Sequence, residues 1–178
     1  MLVAGPRDSG KRTLIAALVD LINRLRHQHV VTIEREINVV HEQRSSFVSQ
    51  REVRGGGDEL LAAARAALRE DPDVLVLEDL RSAALIEFAL DAAASGHLVI
   101  GGYPAASASV AVDHVIDLFP PERRRHIQLS LAQNLRGVIA QVLLRKIGGG
   151  RVAARELLLN SPGVAGVIAE GRTSSDSQ

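Results

Sequence analysis

Gly5-Pro6-Arg7-Asp8-Ser9-Gly10-Lys11 follows the apolar run Met1 to Ala4 and precedes a stretch with helical spacing: Leu14, Ile15, Leu18, Leu21, Ile22, Leu25. A strand, a glycine-bounded loop and a helix are expected in that order. The loop has the spacing G-x-x-x-x-G-K. Its glycines let backbone N–H groups converge on phosphate oxygens, the helix start adds partial positive charge, and Lys11 reaches the outer phosphates. The spacing alone also fits a turn that happens to carry a lysine; the strand–loop–helix setting favours the phosphate loop. The eighth position, where a Ser or Thr hydroxyl would bind Mg²⁺, is Arg12. Thr13 does not simply replace it, because one residue along a helix turns the side chain by about 100°. Asp8 puts a carboxylate inside the loop, and an Asp8–Arg12 pair is one way of filling the altered position.

Downstream, short apolar runs alternate with helical patterns. His29 to Glu34, Phe47 to Val53, Val74 to Leu77 and His97 to Ile100 read as strands. Asp58 is expected to cap a helix over 59–70, which Asp71-Pro72 stops. Helices are also expected over 83–94, 107–118 and 121–134. Gly137 to Lys146 and Arg151 to Leu159 flank Gly148-Gly149-Gly150 as a β-hairpin. Ser161-Pro162 opens a last short helix. Such alternation implies a parallel sheet covered on both faces, with ligands beyond the carboxyl ends of the strands. Gly5 to Lys11 and Glu78-Asp79 both fall at such ends.

The chain has 178 residues and a 46% apolar fraction, enough for one domain with a real core. Its 21 basic and 21 acidic residues balance, and its only aromatic residues besides histidine are Phe47, Phe88, Tyr103 and Phe119. Neutral charge and scarce stacking faces argue against a nucleic-acid partner. The absence of cysteine excludes disulfides and thiolate metal sites and suits a cytoplasmic setting. No apolar run is long enough for membrane insertion, and no signal peptide is read at the start.

Beyond the loop, several strings resemble the C-terminal domain of the PilT/GspE-type secretion and twitching-motility ATPases. They are VTIE at 31–34 with His41-Glu42, QREV at 50–53, ALREDPD at 67–73, GHLV at 96–99, VIDLFP at 115–120 and KIGGGRVAA at 146–154. The likeness runs in order to about Gly171. It implies a RecA-like P-loop NTPase fold over residues 1–171, with residues 172–178 a disordered tail and no counterpart of the family's N-terminal PAS-like domain. It implies ATP as cofactor, with Mg²⁺ left open, and a homo- or hetero-oligomer of motor ATPase subunits among the proteins of a pilus or secretion machinery. Carried over position by position, Glu34 and Asp79 are the catalytic acids. Gly5, Ser9, Gly10, Lys11, Thr13, Arg51, Arg81 and His97 are the nucleotide-binding residues.

The departures from the family fall on its chemistry. Arg35 and Asn38 stand where the acidic segment has acids. Asp79 is one methylene shorter than the family's glutamate, and a shortfall of about 1 Å can cost about a hundredfold in rate. Glu78 would need a one-residue slip that turns it to the other sheet face. Pro104 replaces a histidine and supplies no imidazole. The C-terminal motif around Gly163 to Glu170 has lost its arginine. Arg51 and Arg81 also fit ordinary ion pairs, and His97 a satisfied core position. The expectation is a nucleotide-binding pseudo-ATPase. The alternatives are a working ATPase using Lys11, Glu34 and Asp79, and a protein-interaction scaffold whose pocket the Asp8–Arg12 pair closes.

Overall fold

The computed structural model describes residues 1–171. In chain order the elements are β1 (Leu2–Ala4), α1 (Lys11–Leu25), β2 (His29–Glu34), β3 (Phe47–Glu52), α2 (Gly57–Leu68), β4 (Val74–Leu77), α3 (Ala83–Ala94), β5 (Leu98–Tyr103), α4 (Ala108–Asp117), α5 (Pro121–Asn134), β6 (Gly137–Arg145), β7 (Arg151–Leu159) and α6 (Pro162–Glu170). The fold is the α/β class expected from the sequence, a mostly parallel seven-stranded sheet flanked by helices, with the C-terminal hairpin and helices. Two compact units make up the chain. One is Arg12–Gly102; the other joins Met1–Lys11 to residues 103–171. The tail expected at 172–178 lies outside the described residues.

In the Arg12–Gly102 unit, strands in the order β3-β2-β4-β5 pair in parallel. Strands buried on both faces need consecutive apolar residues. Val74 to Leu77 meet this need, none more than 2% exposed. Burying each of these side chains contributes about 1.5–3 kcal/mol. Helix α2 packs on β2 and β4 and buries Leu60, Ala64 and Ala67 at helical spacing. It begins at Gly57 after an extended Gly56 with no side-chain cap, so Asp58 is a first-turn acid rather than the cap. Its carboxylate still suits the positive helix end.

Helix α1 buries a narrower face than its leucines suggest. Ile15, Val19 and Asn23 form the buried row, whereas Leu21 and Leu25 are exposed. Leu21 and Leu25 lie two residues beyond the buried Val19 and Asn23, about 200° around the helix. Asn23 is polar yet fully buried because its groups are satisfied. Its Nδ2 donates to the Glu42 carbonyl at 2.6 Å, and its backbone carbonyl accepts from Ser45 N at 2.9 Å. These bonds tie down the segment entering β3. Strand β5 starts at Leu98 and runs on through Gly101 and Gly102 to Tyr103, past the expected stop at Ile100.

In the other unit β1 pairs in parallel with β6, and β6 in antiparallel with β7. The hairpin turns at Gly148, Gly149 and Gly150, all at positive φ, where any side chain would be strained. Helix α4 packs on β6, β7 and α5, and α5 packs on α6. Val112, Val115, Ile127, Val138 and Ile168 fill this core.

Serine caps set several helix starts. Ser82, Ser107 and Ser161 each accept a hydrogen bond from the backbone N–H three residues on, and Pro162 opens α6 as expected. Ser107→Ala is expected to cost about 1 kcal/mol and to lower the thermal midpoint by about 2–4 °C. An unchanged midpoint in a thermal melt would mean that the α4 start is held by other contacts.

Candidate functional site

The loop between β1 and α1 is closely cradled. Gly5 N donates to the Tyr103 carbonyl at 3.2 Å, and Ser9 N to the Pro6 carbonyl at 3.3 Å. A Cβ on Gly5 would lie 2.3 Å from Ser9 Oγ and 2.5 Å from the Gln141 carbonyl oxygen, so only glycine fits. Gly10 sits at φ +81°, and a Cβ there would lie 2.8 Å from Gln141 Nε2. Asp8 takes φ 59°, a left-handed conformation that aspartate tolerates better than most residues. Lys11 Nζ donates to the carbonyls of Gly5 at 2.5 Å and Pro6 at 2.7 Å. The ammonium therefore already stands at the loop. Ser9 Oγ is buried with no hydrogen-bond partner among the described residues. A buried orphan hydroxyl carries a desolvation cost of about 1–3 kcal/mol, which a phosphate oxygen would relieve. The donor set and the side-chain-free cradle fit a phosphate group.

In the Arg12–Gly102 unit, parallel pairing brings the carboxyl ends of β2, β3 and β4 to one edge. Glu34 stands opposite Glu52, and Ile33 opposite Leu77, which places Glu78 and Asp79 immediately beyond β4. These acids are engaged. Glu78 forms an ion pair with Arg12 and accepts from Arg35 N at 2.7 Å. Arg12 thus pairs with Glu78, where the sequence suggested Asp8. Asp79 accepts from Arg81 Nε at 2.8 and 3.1 Å and from Arg35 Nε at 3.4 Å. The carboxylate holds the Arg81 pKa above its ordinary value through this hydrogen bond and its charge. Arg35 Nη1 also donates to the Gly55 carbonyl at 2.8 Å. Glu34 differs, since its bonds come from neutral donors: Thr32 Oγ1 at 2.5 Å and Gln50 Nε2 at 3.1 Å. A cavity of about 210 Å³ lies beside these groups, lined by Arg12, Thr13, Thr32, Glu34, His41 and Glu78 among others.

The family profile of the type II/IV secretion system proteins matches residues 1–169. The chain belongs to that family. It is 42% identical over 172 residues to the type IV pilus retraction ATPase PilT of Pseudomonas aeruginosa, covering 97% of this chain and 50% of that protein. It is 39% identical over 173 residues to a twitching motility protein of Neisseria gonorrhoeae, covering 97% of this chain and 46% of that one. The crystal structure of the pilus retraction motor PilT with bound ADP superposes with a TM-score of 0.91 at 41% identity, over 97% of this chain and 50% of that one. The chain therefore spans about half the length of the curated relatives it matches.

Within this secretion-family fold the expected site residues divide. Gly5, Ser9, Gly10 and Lys11 form the loop. Thr13 lines the cavity, Glu34 and Asp79 reach the carboxyl edge of the strands, and Arg81 joins Asp79. Two others point elsewhere. Arg51 pairs with Glu70, beyond the end of α2, and holds the Glu70 pKa below its ordinary value. His97 Nδ1 meets the Pro72 carbonyl at 2.7 Å, just ahead of β4 and β5. It thus sits at the amino ends of the strands, away from Glu34 and Asp79. Among the described residues no group of three or more His, Cys, Asp or Glu is arranged to hold a metal ion. With arginine on Glu78 and on Asp79 and no hydroxyl at position 12, the donor set does not fit Mg²⁺.

Sequence reasoning missed three partners. In the sequence Arg35 stands only as a lost acid, yet its backbone N–H meets Glu78 and its guanidinium Asp79. The Arg12–Glu78 pair needed the register of β4 against α1. Gln141, 132 positions from Ser9, donates from Nε2 to the Ser9 carbonyl at 2.7 Å. Only the polar residue in the middle of the apolar run of β6 hinted at it.

Proposed function

We propose that this chain is a degenerate PilT/GspE-type motor ATPase domain that binds a nucleotide through the Gly5–Lys11 loop without Mg²⁺-dependent hydrolysis. The observation that carries this reading is the Arg12–Glu78 ion pair. A guanidinium occupies the place of the metal-binding hydroxyl and engages a strand-end acid. The Arg35 and Arg81 contacts to Asp79 work in the same direction. A fixed guanidinium supplies positive charge, but it offers no site for a metal-bound water. The loop amides and the Lys11 ammonium would hold the outer phosphates, the chemistry that such a loop supplies.

In this reading residues 1–171 act as the RecA-like domain. They work in a homo- or hetero-oligomer with motor ATPase subunits, among proteins of a type IV pilus or type II secretion machinery, on the cytoplasmic side and without nucleic acid. No helix among the described residues is long and apolar enough to cross a membrane.

Calorimetric titration with ATP, in Mg²⁺ and then in EDTA, tests the proposal together with a phosphate-release assay. Equal affinities and no turnover are expected. Arg12→Ser restores a hydroxyl and releases Glu78, and it should make binding about tenfold tighter in Mg²⁺ than in EDTA, about 1.4 kcal/mol. Mg²⁺-enhanced binding by the unsubstituted chain, with turnover lost in Asp79→Asn, would overturn the proposal in favour of an active ATPase. Glu34 is what keeps that second reading open, because its hydrogen bonds come from Thr32 and Gln50 rather than from arginine.

A further inference from the structure

We propose that Gln141 and Arg155 form a two-residue brace that positions the phosphate loop, so that the β6–β7 hairpin sets how tightly the loop holds a phosphate. The inference rests on the reading that this loop takes the phosphates of a nucleotide.

Gln141 lies against both glycines of the motif. The backbone carbonyl of Gln141 fills the space a Cβ on Gly5 would need, at 2.5 Å, and its Nε2 fills the space at Gly10, at 2.8 Å. Gln141 is 4% exposed, so its amide has little water to bond. Its Nε2 donates to the Ser9 carbonyl at 2.7 Å. That carbonyl belongs to the Ser9–Gly10 peptide. The peptide unit is planar, so fixing its oxygen fixes the direction of the Gly10 N–H, one of the donors a phosphate would meet.

The amide of a glutamine can present either its oxygen or its nitrogen. Arg155 decides which. It is the cross-strand partner of Gln141 in the hairpin, and its Nε donates to Gln141 Oε1 at 2.7 Å. With the oxygen engaged by a cation, the nitrogen is left to face the loop. The neighbouring Glu156 accepts from Ala108 N at 3.0 Å, which anchors the same stretch of β7 to the start of α4. Arg155 itself is exposed, so its removal disturbs little packing.

The test is ADP binding by calorimetry in EDTA, with thermal midpoints recorded in parallel. Gln141→Glu keeps the volume and the acceptor for Arg155 but replaces the donor with a carboxylate oxygen against the Ser9 carbonyl. It should weaken ADP binding by about tenfold, the scale of one lost hydrogen bond with its partner stranded. Arg155→Ala should weaken binding by about threefold and lower the midpoint by no more than about 4 °C, and Arg155→Lys, which restores a cationic donor, should recover most of both losses. Wild-type affinity in both Gln141→Glu and Arg155→Ala would overturn the brace. Should Gln141→Glu not fold, the Arg155→Ala and Arg155→Lys pair decides alone. If the unsubstituted chain binds no ADP, the nucleotide reading falls, and amide hydrogen exchange over residues 5–11 decides the brace. Faster exchange there in Arg155→Ala supports it, and unchanged exchange overturns it.

Discussion

Lys11→Ala is expected to lower nucleotide affinity by about a hundredfold. A charge-assisted hydrogen bond between ammonium and phosphate contributes about 1.5–3 kcal/mol, and each 1.4 kcal/mol is tenfold in affinity. Lys11 Nζ donates to the carbonyls of Gly5 and Pro6, which hold the ammonium at the loop. A dianionic phosphate outcompetes these carbonyls for the same protons. Lys11→Arg should recover only part of the affinity, since a planar fork does not replace a compact point charge. Calorimetry with ADP reads both variants. Unchanged affinity in Lys11→Ala would remove the loop from the binding site, whatever the rest of the chain does.

Gly102→Ala is expected to destabilise the protein by about 3 kcal/mol or more, at the upper end of overpacking costs. A Cβ at this position would lie 2.1 Å from the Glu78 carbonyl oxygen, 3.1 Å from its carbon and 3.3 Å from Ile15 Cδ1. The nearest of these is backbone and does not rotate away. It is also confined, because Leu80 N donates to the Gly102 carbonyl at 2.9 Å and Glu78 N to the Ile33 carbonyl at 3.1 Å. Making room for one methyl group therefore means moving the turn that carries Glu78 and Asp79. A denaturant midpoint measures the loss. A stability within 1 kcal/mol of the unsubstituted chain, a margin set by ordinary surface changes, would show that this turn yields cheaply.

Gly102 also shows where sequence patterns stop. In the sequence, the apolar run His97 to Ile100 reads as a strand that stops before Gly101 and Gly102. In the structure β5 continues through both residues, and the missing side chain admits a neighbouring carbonyl. The same holds for Arg51 and His97. The family resemblance implies a nucleotide-binding role for both, while in the structure Arg51 turns to Glu70 and His97 to the Pro72 carbonyl. Which way a long side chain turns depends on the partner within reach, and that partner is remote in sequence. Asp58 is a milder case. Its position suited a cap, but the helix begins at Gly57, two residues before the expected start, leaving Asp58 inside the first turn.

Local spacing carries the α/β class, the strand runs β2 and β4, the hairpin about Gly148–Gly150, the cap at Ser161 and the glycine-bounded loop between β1 and α1. Each follows from spacing within about 15 residues, where periodicity, glycine freedom and proline restraint act locally. Long-range packing is what sets Arg12 on Glu78, Arg35 on Asp79 and Gln141 on the Ser9 carbonyl. Those pairings join residues 44 to 132 positions apart for the Arg35 and Gln141 contacts. They arise because parallel strands gather distant carboxyl ends on one edge and a hairpin returns β7 beside β6. Charge and hydrogen bonding act over a few ångströms of space, and the fold alone decides which residues share them.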